Sequence, residues 1–275
     1  MSNEYVIAGG RPGFERLRVL SRVWGESTES LLRSVGVGPG QRCLDVGCGA
    51  GAVTLFLATL VGPTGAVVGV DPDEVQLDLV RQECQRLGAA NVELELGDVM
   101  ELESSDAYDV VYSRFLLEHL PDPLEALRRM WRAVRPGGLL VAEDGDFLAE
   151  FCEPANPGFD FWMYAYQETL RRNGGDPLSG RRLHSRFREV GVPGPHLNLV
   201  QYVFLSGEGK LMPYLTVART ASRIVDSGVA TQAEVDQAMA QLRELADDTT
   251  SAVSSPRVFQ CWARKPELTD RPVAD

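Results

Sequence analysis

Apolar runs that end on a polar or acidic residue recur through the first half of the chain, each followed by residues at helical spacing. Cys43, Leu44 and Val46 enclose Asp45, and Gly65-Ala66-Val67-Val68-Gly69-Val70 ends on Asp71. Tyr108-Asp109-Val110-Val111-Tyr112 runs into Ser113 and Arg114, and Leu139-Leu140-Val141-Ala142 into Glu143 and Asp144. Asn91 to Leu96 alternates apolar with polar and turns at Gly97-Asp98-Val99. These runs predict strands, and the wholly apolar ones predict strands buried on both faces. Between them, Val53 to Leu60 predicts a helix. Leu77, Val80, Cys84 and Leu87 predict another, capped by Asp73 and stopped by Gly88. Leu124 to Val134 is amphipathic, and Arg135-Pro136-Gly137-Gly138 predicts a tight turn into the next strand. Strand alternating with helix is an α/β pattern.

The flanks read differently. Residues 1–40 predict a helical lid in two pieces. Leu17, Leu20, Val23 and Trp24 share one helical face, and a second helix runs from Glu29 to Val35, closed by Gly36 and Gly38-Pro39-Gly40. Residues 41–146 form the core. From 147 to 195 the composition turns aromatic: Phe151, Phe159, Phe161, Trp162, Tyr164 and Tyr166 mark a helix inserted as a cap. Another helix starts at Asp176-Pro177-Leu178-Ser179 and ends near Gly191. Residues 196–265 return to the core through a strand from His196 to Phe204 and a last strand at Arg257 to Ala263. The helix between them opens on the capping box Thr231-Gln232-Ala233-Glu234. Residues 266–275 read as a frayed tail.

Composition excludes several function classes. At 275 residues, 44% hydrophobic and 24% charged, the chain has the makeup of an ordinary globular protein. A net charge of −12 argues against a nucleic-acid partner, which needs a basic face. No run approaches the ~20 apolar residues of a spanning helix, and the N-terminus lacks the basic and apolar regions of a signal peptide. No membrane partner and a cytoplasmic location are therefore expected. Cys43, Cys48, Cys84, Cys152 and Cys261 are odd in number and scattered, as free thiols of a reducing compartment are. No metal is expected on them.

The chemistry concentrates in Leu44-Asp45-Val46-Gly47-Cys48-Gly49-Ala50-Gly51. Glycines at alternate positions between a strand and a helix let the backbone take positive φ and let a ligand approach the helix N-terminus. Gly47-x-Gly49-x-x-Ala52, with Asp71 downstream, fits a dinucleotide fingerprint. The same string closely resembles the S-adenosylmethionine (SAM) loop of class I methyltransferases. There an acid stands two residues before the first glycine, where it suits an ammonium and a sulfonium and would repel a pyrophosphate. The resemblance implies a Rossmann-like, seven-stranded doubly wound sheet whose last strand is antiparallel.

It also implies roles for individual residues. Asp45, Gly47, Cys48, Gly49 and Gly51 would form the SAM loop, and Asp71, with Pro72 and Gln76 beyond it, would take the ribose hydroxyls. Gly97, Asp98 and Val99 resemble the adenine-binding turn. Ser113, Arg114 and Phe115, at the fourth strand's end, would line the reaction centre. Tyr5 lies in a segment similar to the N-terminal lid of methyltransferases near the ubiquinone and menaquinone group. His119 matches a histidine that phosphoethanolamine-type methyltransferases pair with a tyrosine as a base dyad, so Tyr5 and His119 are the candidate catalytic pair. A histidine that merely braces its loop fits equally well. Trp162, Met163 and Tyr166 are read either as core or as the roof over the acceptor, joined there by Asp144. Glu143, Asp144 and Asp146 form an acidic cluster, open between a metal site, steering of an amine and a solvated rim.

The reading that results is SAM-dependent methylation of a small organic acceptor, a secondary metabolite, at oxygen, nitrogen or carbon. Three alternatives stay open: the same fold serving a non-methylating, pericyclic reaction, an NAD-linked oxidoreductase, and a SAM-binding regulatory or partner protein, which the aromatic cap disfavours. Monomer and homodimer are both open.

Overall fold

The computed structural model describes residues 10–267. Seven strands form the main sheet: β1 Arg42–Val46, β2 Ala66–Asp71, β3 Val92–Leu96, β4 Tyr108–Arg114, β5 Val134–Asp146, β6 His196–Val200 and β7 Arg257–Arg264. Their order is β3-β2-β1-β4-β5-β7-β6. β1 to β5 pair in parallel, and β7 runs antiparallel to both neighbours. The chain reverses its direction of travel across the sheet between β1 and β4, and a crevice opens there beyond the carboxyl ends.

Both faces are covered. On one, Leu44, Val68, Val111 and Leu140 pack against Ala126, Leu127 and Met130 of α4 (Pro123–Ala133) and Leu183 and Phe187 of α6 (Ser179–Glu189). On the other, Cys43, Val67, Val110 and Val141 meet Leu57 and Ala58 of α2 (Ala52–Val61) and Leu31 and Leu32 of α1 (Gly10–Ser34). This two-sided burial is the physical reason the strands lack alternation. α3 (Glu74–Leu87) starts at Asp73, which accepts from the Gln76 amide, and ends at Gly88, as expected.

Three expectations change. α1 is one helix, Gly10–Ser34, without a break. Ser27 Oγ donates to the Trp24 carbonyl, and Thr28 reaches across to the sheet, so the small polar residues that read as a break are held in place. The strand expected from His196 to Phe204 divides: Val203–Phe204 leaves the main sheet and joins Ala252–Ser254 and Cys152–Glu153 in a small second one. Pro136 to Gly138 lies inside β5 as an irregularity in its pairing with β4, not before the strand.

The inserted layer has its own core. α5 (Pro157–Arg172) packs through Phe159, Trp162 and Leu170 on Val217 and Ile224 of α7 (Glu208–Asp226) and on Val235 and Leu242 of α8 (Gln232–Asp247). The cap therefore draws on residues beyond 195, and α6, read as part of it, lies on the sheet. Tyr5 lies outside the described residues.

Gly51 shows how tightly the ligand end is packed. Its φ is +70°, and a Cβ there would stand 2.4 Å from Val80 Cγ1 of α3. Gly51→Ala combines a left-handed backbone cost of roughly 1–2 kcal/mol with overpacking of about 1–3 kcal/mol. Urea denaturation should show a loss of about 2–5 kcal/mol, partly relieved in the Gly51→Ala/Val80→Ala double variant. An unchanged midpoint would refute this account of the loop.

Candidate functional site

A cavity of about 640 Å³ opens over the carboxyl ends of β1, β2 and β4. The Gly47–Ala50 turn, α1 and residues of α5 and α7 contribute to its walls. Gly47 and Gly49 both take positive φ, and their Cα faces are closely covered by Leu116 and Leu17. Asp71 staples the turn. One oxygen accepts from the Gly49 amide at 2.8 Å and the other from the Asp73 amide at 2.9 Å. Asp73, not Asp71, caps α3, and it also accepts from the Gly10 amide at 3.1 Å. Asp45 lies beneath, accepting from Thr54 Oγ1 at 2.6 Å. Its burial raises its carboxyl to about 6 against that hydrogen bond. Gln76 Oε1 is buried on the wall and accepts nothing.

At the end of β4 the backbone is strained: Phe115, a bulky non-glycine residue, has a φ of +53°. Such positions persist where the surroundings over-determine them, often beside a ligand. The Phe115 amide donates to the Glu143 carbonyl, and its ring meets Trp24 edge-on at 6.0 Å. Arg114 donates to Thr28 and Ser21 of α1.

Glu118 and His119 follow in a 3-10 turn, both buried and both on the wall. Glu118 accepts from the Gly145 amide at 3.1 Å and from the Tyr166 hydroxyl at 3.5 Å, with His119 Nε2 at 3.3 Å. Burial lifts the Glu118 carboxyl to about 7. The same burial, with Arg16 adding to it and Asp144 opposing, lowers His119 to about 3. The imidazole is therefore neutral at physiological pH.

The cavity brings together Asp45, Gly47, Cys48, Gly49, Asp71, Pro72, Gln76, Arg114, Phe115 and His119, with Trp162 and Tyr166 of the cap. Other expected residues stand elsewhere. Gly51 packs on α3, Ser113 is buried in β4, and Met163 packs against the cap's own core. Gly97, Asp98 and Val99 are not on the wall: Asp98 is exposed and accepts from the Met100 amide, and Val99 is in the core. The acidic cluster is no solvated rim, since Glu143, Asp144 and Asp146 are all buried. Asp144 accepts from Ser179, Asp146 pairs with Arg181 and Arg257, and Glu143 takes three donors. Among the described residues no group of acids, histidines or cysteines is arranged to hold a metal.

Arg16, Glu118 and Glu150 also line the cavity, and the sequence reading passed over them. Their signal was weak. Glu118 and Glu150 are lone acids inside apolar stretches, Phe115 to Leu120 and Leu148 to Cys152.

Residues 38–178 match the family model described as a methyltransferase domain. The chain belongs to the class I SAM-dependent methyltransferases. It is 35% identical over 190 residues to the demethylmenaquinone methyltransferase of Bacillus cytotoxicus, covering 69% of this chain and 73% of that one. Against the protein of the same description in Staphylococcus aureus it is 37% identical, but spans only 55% of that relative's length. A structure described as a methyltransferase from Bacillus halodurans superposes with a TM-score of 0.58 at 20% identity, covering 87% of this chain and 99% of that one. The [4+2]-cyclase SpnF superposes with a TM-score of 0.54 at 18% identity, covering 89% and 84%. At those identities the likeness is one of fold.

The methyltransferase's wall fits its cofactor. The glycine turn lines the cavity, Gln76 Oε1 has no donor among the described residues, and both Asp71 oxygens retain a lone pair beyond their one amide each. A buried acid under the turn suits a cation.

Burying Asp45 there has a cost in stability. Its folded value lies above its unfolded one, so the folded state binds the extra proton and stability falls as pH rises from about 3.8 to about 6. Asp45→Asn should therefore stabilise the free enzyme by about 2–3 kcal/mol above pH 6, with the gain vanishing near pH 4. SAM affinity should drop in the same variant. Thermal melts across pH, paired with titration calorimetry, measure both; a loss of stability at pH 7.5 would overturn the assignment.

Proposed function

We propose that this enzyme transfers the methyl group of SAM to a small organic acceptor, a secondary metabolite, enclosed between the glycine turn and the cap. The observation that carries this reading is one cavity lined by both the turn with its two acids and the aromatic side chains of α5. The walls leave room for a small molecule and its donor, with Trp24, Phe115, Phe147 and Tyr166 supplying apolar surface.

In this reading Gly47, Cys48 and Gly49 hold the cofactor's amino acid end with Asp45 behind them, and Asp71 and Gln76 take its hydroxyls. The bound sulfonium supplies an electrophilic methyl group that needs no activation. The protein's contribution is alignment, worth roughly 7–11 kcal/mol where the reacting atoms are held in line. Phe115 and Arg114, fixed to α1, shape the place where the acceptor meets the methyl carbon. If the acceptor must lose a proton, Glu118 is better matched than His119: a carboxyl near 7 accepts protons effectively at neutral pH, whereas an imidazole near 3 is a feeble base. Such a base is worth about 10²–10⁴-fold.

Titration with S-adenosylhomocysteine should give a micromolar dissociation constant, weakened at least tenfold by Asp71→Ala, while NAD gives no heat. Mass spectrometry of products formed from a metabolite library should show the gain of one methyl group. Conversion without that gain would favour a non-methylating reaction on the same fold. Absence of any heat with the homocysteine would reject the reading outright.

With an acceptor that loses a proton, the turnover rate should climb with pH and level off above about 7. Glu118→Gln should flatten that climb and His119→Phe should preserve it. The reverse pattern would return the base to His119.

A further inference from the structure

One carboxylate in the cavity wall is answered by nothing among the described residues. Both oxygens of Glu150 are buried and accept no hydrogen bond, although the residue lines the cavity. Its acidic neighbours are each provided for: Asp146 by Arg181 and Arg257, and Glu118 by the Gly145 amide and the Tyr166 hydroxyl. The groups that act on Glu150 are those two acids, and no cation is among them. Burial and their charge push its carboxyl well above the ordinary range. A second polar atom in the same wall is also unanswered, since Trp162 Nε1 is a buried donor without an acceptor. The rings of Phe147 and Tyr166, 5.0 Å apart and edge-on, complete this part of the lining.

A buried acid left without donors is tolerated where a ligand supplies them. A hydroxyl would satisfy lone pairs and leave the negative charge unbalanced. An ammonium satisfies both, and aromatic faces attract it as well. A quinone ring offers neither. We propose that Glu150 anchors a protonated amine of the acceptor, within an aromatic pocket formed by Phe147, Trp162 and Tyr166, so that the substrate class is a small amine. The assignment rests on the methyl-transfer reading for the identity of the bound molecule as an acceptor. In the complex the ammonium and the Glu150 carboxylate pair as ions.

Phenethylamine and 2-phenylethanol share a ring and differ in the polar head, which makes them suitable probes. Calorimetry should show the amine binding at least 30-fold more tightly than the alcohol. Glu150→Gln should reduce that preference to threefold or less, and Glu150→Asp should restore part of it. Both variants should bind S-adenosylhomocysteine like the parent enzyme, which establishes that they fold. Equal binding of the probes, no binding of the amine, or a preference that survives Glu150→Gln would overturn the proposal. Titrations run with and without the homocysteine separate the two readings. Amine preference without homocysteine binding would strike only the methyl-donor reading. Homocysteine binding without amine preference would strike only this one.

Discussion

The Glu143 carboxylate, 1% exposed near the end of β5, is held by donors from three directions. Tyr112 of β4 donates its hydroxyl at 2.6 Å, Thr28 of α1 at 2.8 Å, and Gln260 of β7 its amide at 2.7 Å. Two of these follow from sheet register: Gln260 stands directly opposite Glu143, and Tyr112 lies two residues along the neighbouring strand from its partner Arg114. The third ties α1 to the sheet. Charge-assisted bonds of this kind are about twice as strong as neutral ones, and each donor also meets the desolvation of the acid. Arg114 adds its own bonds to Ser21 and Thr28, so α1 lies at a fixed height over the glycine turn. Leu17, which covers Gly49, and Arg16, which lines the cavity, take their places from that height.

The strand ends of this acidic chain show a graded pattern. Glu143 and Asp146 are fully answered and serve architecture. Asp45 and Asp71 are answered once or twice by Thr54 and by the turn's own amides, and retain capacity for a ligand. Glu150 is answered by none of the described residues. Buried carboxylates are costly in proportion to what they lack, and apart from Asp144, whose Oδ1 is buried without a hydrogen bond away from the cavity wall, the less satisfied acids lie on the cavity. The unpartnered Gln76 and Trp162 atoms and the strained Phe115 backbone lie on the same cavity. Native proteins concentrate such local conflicts where something else will bind.

The sheet and its glycine turn were legible because each parallel strand is buried on both faces and so shows as an unbroken apolar run. Asp73 and Gly88 bounded α3 for equally local reasons. What sequence could not give was the partner of each face. α7 and α8 carry amphipathic patterns that say one side is buried, yet nothing in them says that α5 lies beneath. Gly25 to Thr28 looked like a helix break because propensity is local, whereas the bond from Thr28 to Glu143 spans 115 residues. The same limit hid the site's depth. The sequence named Asp71 as a ligand acid but not as the staple of the turn, and Glu118 and Glu150 were invisible because a lone acid in an apolar stretch is usually exposed.

The two halves of the cavity also differ in how far kinship informs them. The match to the family model ends at residue 178, so it covers the glycine turn, Asp71, Glu118, Glu150 and the first cap helix, but not α7 or two of the three strands of the small sheet. The cap wall adds Phe204, Met212, Thr216 and Ser254 from segments beyond that limit. The glycine turn and its acids lie inside the matched range, whereas much of the opposite wall is assembled from α7 and the small sheet, which lie apart from the strands that carry the turn. Glu150 stands between β5 and the cap on the same cavity, and a buried acid with no hydrogen-bond partner among the described residues is out of keeping with a purely apolar acceptor.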